Sequence, residues 1–173
     1  MKTSSVATRR LTVNAAFLKD IKDDNRDLKM LIQRLKRLTH PREVAGNHWA
    51  ELLRLMGDFR DQLAMHFGLE EAYGYFDAAI DTEPERSVLA ESLRMQHRDL
   101  FEQARHLAEQ AEKSRVNTPA ESETIEGQTP ELTPSQERLL DRLQALMDDF
   151  EQHEEAELNL ILDSLDQDLG VGD

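Results

Sequence analysis

The sequence contains no cysteine. That absence excludes disulfide staples, cysteine-rich zinc sites, iron–sulfur clusters and any thiol nucleophile. Aromatic residues are scarce, at 5% of the chain. No apolar run approaches the roughly 20 residues needed to span a bilayer. Arg9 and Arg10 have no apolar segment behind them, because Lys19, Asp20, Lys22 and Asp23 interrupt the next stretch. No signal peptide is therefore expected, and a cytoplasmic protein is the default. Positive charge is also short: 21 Lys and Arg stand against 35 Asp and Glu, a formal net charge of −14. So acidic a chain is repelled by phosphate backbones and by anionic lipid, which argues against nucleic-acid and membrane partners.

What is abundant favours helix over sheet. Leu, Ala, Glu, Gln, Asp and Arg dominate, and the 173 residues suffice for one domain with a sizeable core. Residues 1–11 read as a loose basic tail, followed by a bundle over 12–166 and an acidic tail over 167–173. The first helix runs from about Asn14 to Leu38 and stops at Thr39-His40-Pro41. The second starts somewhere in 42–48, with Gly46-Asn47 as either a break or a cap, and reaches about Ala78. Thr82-Glu83-Pro84-Glu85 opens the third, which continues to about Lys113. Residues 114–133 lack periodicity and read as a flexible crossing loop. Thr133-Pro134-Ser135-Gln136 then caps a fourth helix ending near Leu165.

Each segment carries a stripe at spacings of three and four. The first is Leu18, Ile21, Asn25, Leu28, Ile32, Leu35. The second is Leu52, Met56, Phe59, Leu63, His66, Glu70, Tyr73. The third is Ala90, Leu93, His97, Leu100, Ala104, Leu107, and the fourth Leu139, Leu143, Leu146, Phe150, His153, Glu157, Leu160. Four such stripes describe an all-α, antiparallel up-down four-helix bundle.

The stripes are interrupted by Asn25, by His66 with Glu70, by His97, and by His153 with Glu157. Residues four apart on a helix differ by about 40° in azimuth and one turn in height, so each His-x-x-x-Glu pair can aim both side chains at one point. Spacing alone is weak evidence. With 35 acids in 173 residues, roughly one His in five has an acid four residues on, and six histidines give about one such pair by accident. Placement is more telling, because both pairs lie on core stripes, where an uncompensated His or Glu costs several kcal/mol to bury. No Lys or Arg shares those stripes, and a cation is the simplest neutraliser. Imidazole with carboxylate suits iron, zinc or manganese. Two other accounts stay open: a buried hydrogen-bond network with protonated carboxylates, or a splayed bundle that admits water.

The other histidines read as bland. His106 is half a turn out of phase with His97, His48 lies about 27 Å along the axis from His66, and His40 precedes Pro41 in a turn. Tyr73, one turn past Glu70, fits either a hydrogen bond to a ligand carboxylate or a plain core aromatic.

His66-Phe67-Gly68-Leu69-Glu70-Glu71 resembles the HFxxEE signature of hemerythrin-like (HHE cation-binding) domains. His97 and His153-Glu154-Glu155-Ala156-Glu157 match the rest of that series, over about residues 14–165. The resemblance implies a di-iron centre with an oxo or hydroxo bridge. In it Glu70 and Glu157 bridge the irons, and His66, His97 and His153 are terminal ligands. It also implies binding or sensing of oxygen, nitric oxide, peroxide or iron. One departure stands out: the family's first helix normally supplies a His, where this chain has Asp24-Asn25. An amide oxygen is a poor iron ligand, so the position using Asn25 and His66 is expected to be weak, open or empty. The position using His97, His153 and the two carboxylates is retained.

The expectation is a cytoplasmic non-haem metal-binding protein, with iron as the ion and O2 or NO as a further ligand. The alternative is a metal-free or mononuclear bundle acting as a regulatory or interaction module. A ferritin-like oxidase would need a carboxylate on the first stripe and an ExxH spacing, and neither is present. No catalytic nucleophile, Gly-rich phosphate loop or substrate motif supports an enzyme.

Overall fold

The structure, a computed structural model, describes residues 25–73, 84–117 and 131–170. Among these are five α-helices and no strand. They are α1 (25–39), α2 (Arg42–Asn47), α3 (Trp49–Tyr73), α4 (Pro84–Asn117) and α5 (Pro134–Gly170).

The helix ends follow local chemistry. At the end of α1, Thr39 folds its hydroxyl back to donate to the Leu35 carbonyl at 3.0 Å. The ambiguous 42–48 stretch forms the short α2 and then breaks at His48, whose φ of −115° and ψ of 22° are not helical. Gly46 and Asn47, both weak helix formers, immediately precede the break. At the start of α5, Thr133 and Gln136 form a reciprocal capping box. The Thr133 N–H donates to Gln136 Oε1 at 2.8 Å, and the Gln136 N–H to Thr133 Oγ1 at 3.3 Å. Pro84 and Pro134 occupy first helical positions, where no N–H is needed.

Two expected boundaries move. Residues 114–117, expected as loop, continue α4, and residues 167–170, expected as tail, continue α5 as far as Gly170. Nothing in Ser114-Arg115-Val116-Asn117 or Asp166-Gln167-Asp168-Leu169 forbids helix, so both run on past the last core residue. The expected basic tail lies outside the described residues, as do Leu18, Ile21, Asp24 and Thr82 and the side chain of Tyr73.

Cross-helix pairs set the directions. Between α4 and α5, His97 meets Glu157 and Gln110 meets Arg142, so the numbers run oppositely and the helices are antiparallel. Between α1 and α5, Lys36 pairs with Glu151 and Arg42, at the start of α2, with Asp141, again in opposite order. Across the diagonal, Phe59 meets Phe150 and His66 meets Glu154, which makes α3 and α5 parallel. This is an up-down bundle closed by α1 against α5.

Every described stripe position except Asn25 is buried. Leu28, Ile32, Leu35, Leu52, Met56, Phe59, Leu63, Leu143, Leu146 and Phe150 belong to one core. At about 1.5–3 kcal/mol for each large apolar side chain removed from water, this core is what holds the helices together. Ala90, Leu93 and Leu160 form a smaller apolar cluster. Between the two clusters along α4 and α5 sit His97, His153 and Glu157.

Candidate metal centre

The polar layer is as dry as the core around it. His66, Glu70 and Glu157 are 1% exposed, His153 2% and His97 3%. Helix α3 supplies His66 and Glu70 one turn apart, the parallel α5 supplies His153 and Glu157 in the same direction, and α4 brings His97 in from the opposite one. Two metal-sized groups result: His97, His153 and Glu157, and His66, Glu70 and Glu154, each with its ligand atoms within 4.8 Å of one another.

In the first group, Glu157 Oε1 lies 3.0 Å from His97 Nε2 and 2.9 Å from His153 Nε2. In the second, His66 Nε2 lies 2.7 Å from Glu154 Oε1 and 3.2 Å from Glu70 Oε1. The other Glu70 oxygen turns to the first group, 3.5 Å from His97 Nε2. Glu70 therefore stands between the two groups.

Surrounding side chains fix the rings. His153 Nδ1 donates to Gln96 Oε1 at 3.0 Å, which turns Nε2 toward the cluster. His97 Nδ1 lies 3.6 Å from the exposed Glu71 carboxylate. Phe67 stacks on the His97 ring with centroids 4.2 Å apart and meets His153 edge-on at 5.8 Å. Phe150 meets His66 edge-on at 5.6 Å. An open groove lined by Ala64, Phe67, Gly68, Glu71, Arg94, His97, Arg98 and Phe101 runs from the surface to the His97 side of the layer.

The two shared carboxylates titrate in opposite senses. Burial pushes Glu70 up from 4.5 to about 9, and the neighbouring Glu157 charge adds to the rise. Burial also pushes Glu157 up, but the His153 and His97 imidazoles outweigh it and hold that carboxyl below its ordinary value. The layer thus holds a proton on Glu70 when no cation is present.

The residues fit a cation on two counts. Glu70 Oε2 and His153 Nε2 are buried inside the cluster without a hydrogen bond. The 2.9 Å approach of His153 Nε2 to the Glu157 carboxylate is favourable only with a proton or a cation between them. Adjacent donors on a first-row ion with right-angled bonds of about 2.1 Å are about 3.0 Å apart. The observed separations of 2.7–3.2 Å around His66 and of 2.9 and 3.0 Å around Glu157 are those of hydrogen bonds and equally suit adjacent donors on one ion.

All five residues expected from the stripes are brought together. Asn25 is only half-buried. His40, His48 and His106 are exposed and stay apart from the layer. Sequence reasoning gave no role to Gln96, nor to Glu154 and Phe67, although these last two lie within the His66–Glu71 and His153–Glu157 motifs. Glu154 flanks a core position beside Glu155, and which of two adjacent acids turns toward α3 depends on how the bundle winds, which a stripe does not encode. Phe67 neighbours His66 in the same way.

Comparisons with curated proteins and with solved structures found no match. The family model for the hemerythrin HHE cation binding domain, however, matches residues 16–165. With nearly the whole helical chain covered and the His and Glu residues gathered in one buried layer, the chain belongs to the hemerythrin HHE cation-binding family.

Proposed function

We propose that this chain is a cytoplasmic non-haem iron protein, with a di-iron or mononuclear centre, that binds or senses oxygen, nitric oxide or iron. The observation that carries the reading is Glu70, a 1% exposed carboxylate with one oxygen 3.2 Å from His66 and the other 3.5 Å from His97. In this reading His66, Glu70, His97, His153 and Glu157 are the metal ligands. Their mix of imidazole and carboxylate suits iron and also accommodates zinc or manganese. When bound, iron supplies an open coordination position for a diatomic ligand. The chain's own residues do the rest: Gln96 sets the His153 tautomer, Phe67 and Phe150 keep the layer dry, and the groove over Gly68 gives small molecules a path to the His97 side.

The test is reconstitution of chelator-stripped protein with ferrous iron under nitrogen, followed by metal analysis and visible spectra before and after oxygen or nitric oxide. One or two irons per chain and a ligand-dependent absorption band are expected. Protein that retains no iron after desalting overturns the reading.

A second reading has its own support. Asn25 stands where the family carries a first-helix His, and a protonated Glu70 lets the polar layer persist without a cation. On that reading the bundle is a metal-free or mononuclear regulatory module, and in the metal-free case its melting is indifferent to chelators.

A further inference from the structure

Two carboxylates serve the His66 side of the layer, and one of them comes from outside the His-x-x-x-Glu pairs. Glu154 follows His153 on α5, so it leaves the helix about 100° further round and reaches α3 instead of α4. Its side chain is 20% exposed, and its Oε1 is 2.7 Å from His66 Nε2, closer than Glu70 Oε1 at 3.2 Å. Glu70 Oε1 reaches into the same space, while its Oε2 faces His97 at 3.5 Å.

We infer that Glu154, with His66 and Glu70, completes a second metal position that takes nothing from the first helix. The inference rests on the metal-binding reading above and adds to it a ligand and a consequence. The two positions have unlike donors. His97, His153 and Glu157 offer two imidazoles and one carboxylate, whereas His66, Glu70 and Glu154 offer one imidazole and two carboxylates. The second set is harder and carries one more negative charge, so it favours oxygen-seeking ions such as manganese(II), and the first favours imidazole-seeking ions such as zinc(II). Asn25 is then not a gap in the coordination, because the donor it lacks is replaced from α5, the helix packed against α1.

The experiment is titration of stripped full-length protein with zinc(II) and, separately, manganese(II), with metal content read after desalting and manganese followed by paramagnetic resonance. Wild type is expected to hold two zinc ions per chain in two steps and to bind manganese at one position. Glu154→Gln, isosteric and partly exposed, should hold one zinc and lose manganese affinity by at least about tenfold. Glu155→Gln, at the exposed neighbouring position, should behave as wild type. Glu154→His should regain the second zinc without regaining manganese, an outcome that a packing role for Glu154 does not produce. Two zinc ions and unchanged manganese affinity in Glu154→Gln overturn the inference and leave the metal-binding reading standing. Wild-type protein that binds neither ion overturns both.

Discussion

His66 Nε2 is nearer to Glu154, on another helix, than to Glu70, one turn along its own: 2.7 Å against 3.2 Å. The layer is therefore held together across the bundle and not only along each helix. Its protonation, its metal affinity and the stability of the fold are coupled. Several measurements follow from that coupling.

The first is the pH dependence of the metal-free protein. Glu70 moves from 4.5 in the unfolded chain to about 9 in the fold, chiefly through burial and then through Glu157. Between those values the folded state keeps a proton that the unfolded state has lost. The stability contribution is complete below about pH 4.5 and disappears as pH rises to about 9. Glu157, held low, works in the opposite sense and weakens the fold as pH falls through the acid range. The melting temperature of stripped protein should peak in mildly acidic buffer and decline toward pH 9. Glu70→Gln should flatten that alkaline decline. A decline as steep in Glu70→Gln as in wild type would place its origin elsewhere.

The same proton gives a second measurement. At pH 7 a cation entering the layer must displace the proton on Glu70, so metal binding should release protons. Titration calorimetry in two buffers of different ionisation enthalpy reads this directly. About one proton per first ion bound is expected in wild type, and fewer in Glu70→Gln, whose amide has no carboxyl proton to lose.

Much of this was legible in the sequence, for a physical reason. Helical periodicity projects burial onto one axis, so His66, Glu70, His97, His153 and Glu157 stood out as polar residues on apolar stripes, and all five are buried together. The capping box at Thr133 was equally plain, because it depends on residues three apart. What was hidden depends on neighbours in space. Glu154 and Gln96 act across helices from flank positions, and nothing local separates Glu154 from Glu155. The ends of α4 and α5 were placed too early because the stripes stop before the helices do: helix needs only backbone bonds and tolerant residues, whereas a stripe needs something to pack against.

Glycine supplies a stability prediction. Gly57 and Gly68 lie within α3, neither has a positive φ, and a Cβ added at either meets nothing within 4 Å. Gly57→Ala and Gly68→Ala should each stabilise the protein by roughly 0.5–1 kcal/mol in chemical denaturation. Gly68 also lines the groove that leads to His97. Gly68→Leu should slow chelator removal of bound metal relative to Gly57→Ala while leaving the metal content unchanged. Equal removal rates would mean that ions leave by another route.

The N-terminal cap of α5 can be tested separately from the metal. Thr133→Ala removes the acceptor for the Gln136 N–H and half of the reciprocal pair. A loss of about 1 kcal/mol is expected in chemical denaturation. The second half of α5 carries His153, Glu154 and Glu157, but the cap lies about 30 Å away from them at 1.5 Å per residue. Metal stoichiometry should therefore be untouched, and a change in it would show that the cap positions the site as well as stabilising the helix.

The last prediction concerns Asn25 and His153, which sit on opposite sides of the question of one ion or two. Asn25 is half-buried on the α1 stripe that continues through Leu28 and Ile32, and a His placed there tests whether the first helix can reach the layer. Imidazole is a far better donor than an amide oxygen for a first-row ion. If Glu154 completes the His66 position, Asn25→His should leave the iron content at two and only slow its loss to chelator. If that position lacks a donor, Asn25→His should raise the iron retained per chain toward two and strengthen the near-ultraviolet and visible absorption of iron-loaded protein. His153→Ala removes a 2% exposed ring that Gln96 holds in place and should empty the position it shares with His97 and Glu157. Metal analysis and spectra on identically reconstituted proteins separate the cases. If Asn25→His leaves the iron content at one while His153→Ala abolishes it, the centre is mononuclear and built on the two-imidazole side. If wild type already holds two irons and Asn25→His only slows their loss to chelator, the His66 position was complete without the first helix. Iron content of Glu154→Gln then decides whether Glu154 supplies the missing donor. If wild type and both variants stay empty, the buried layer is a proton-sharing network centred on Glu70, and the regulatory-module reading takes the place of the iron one.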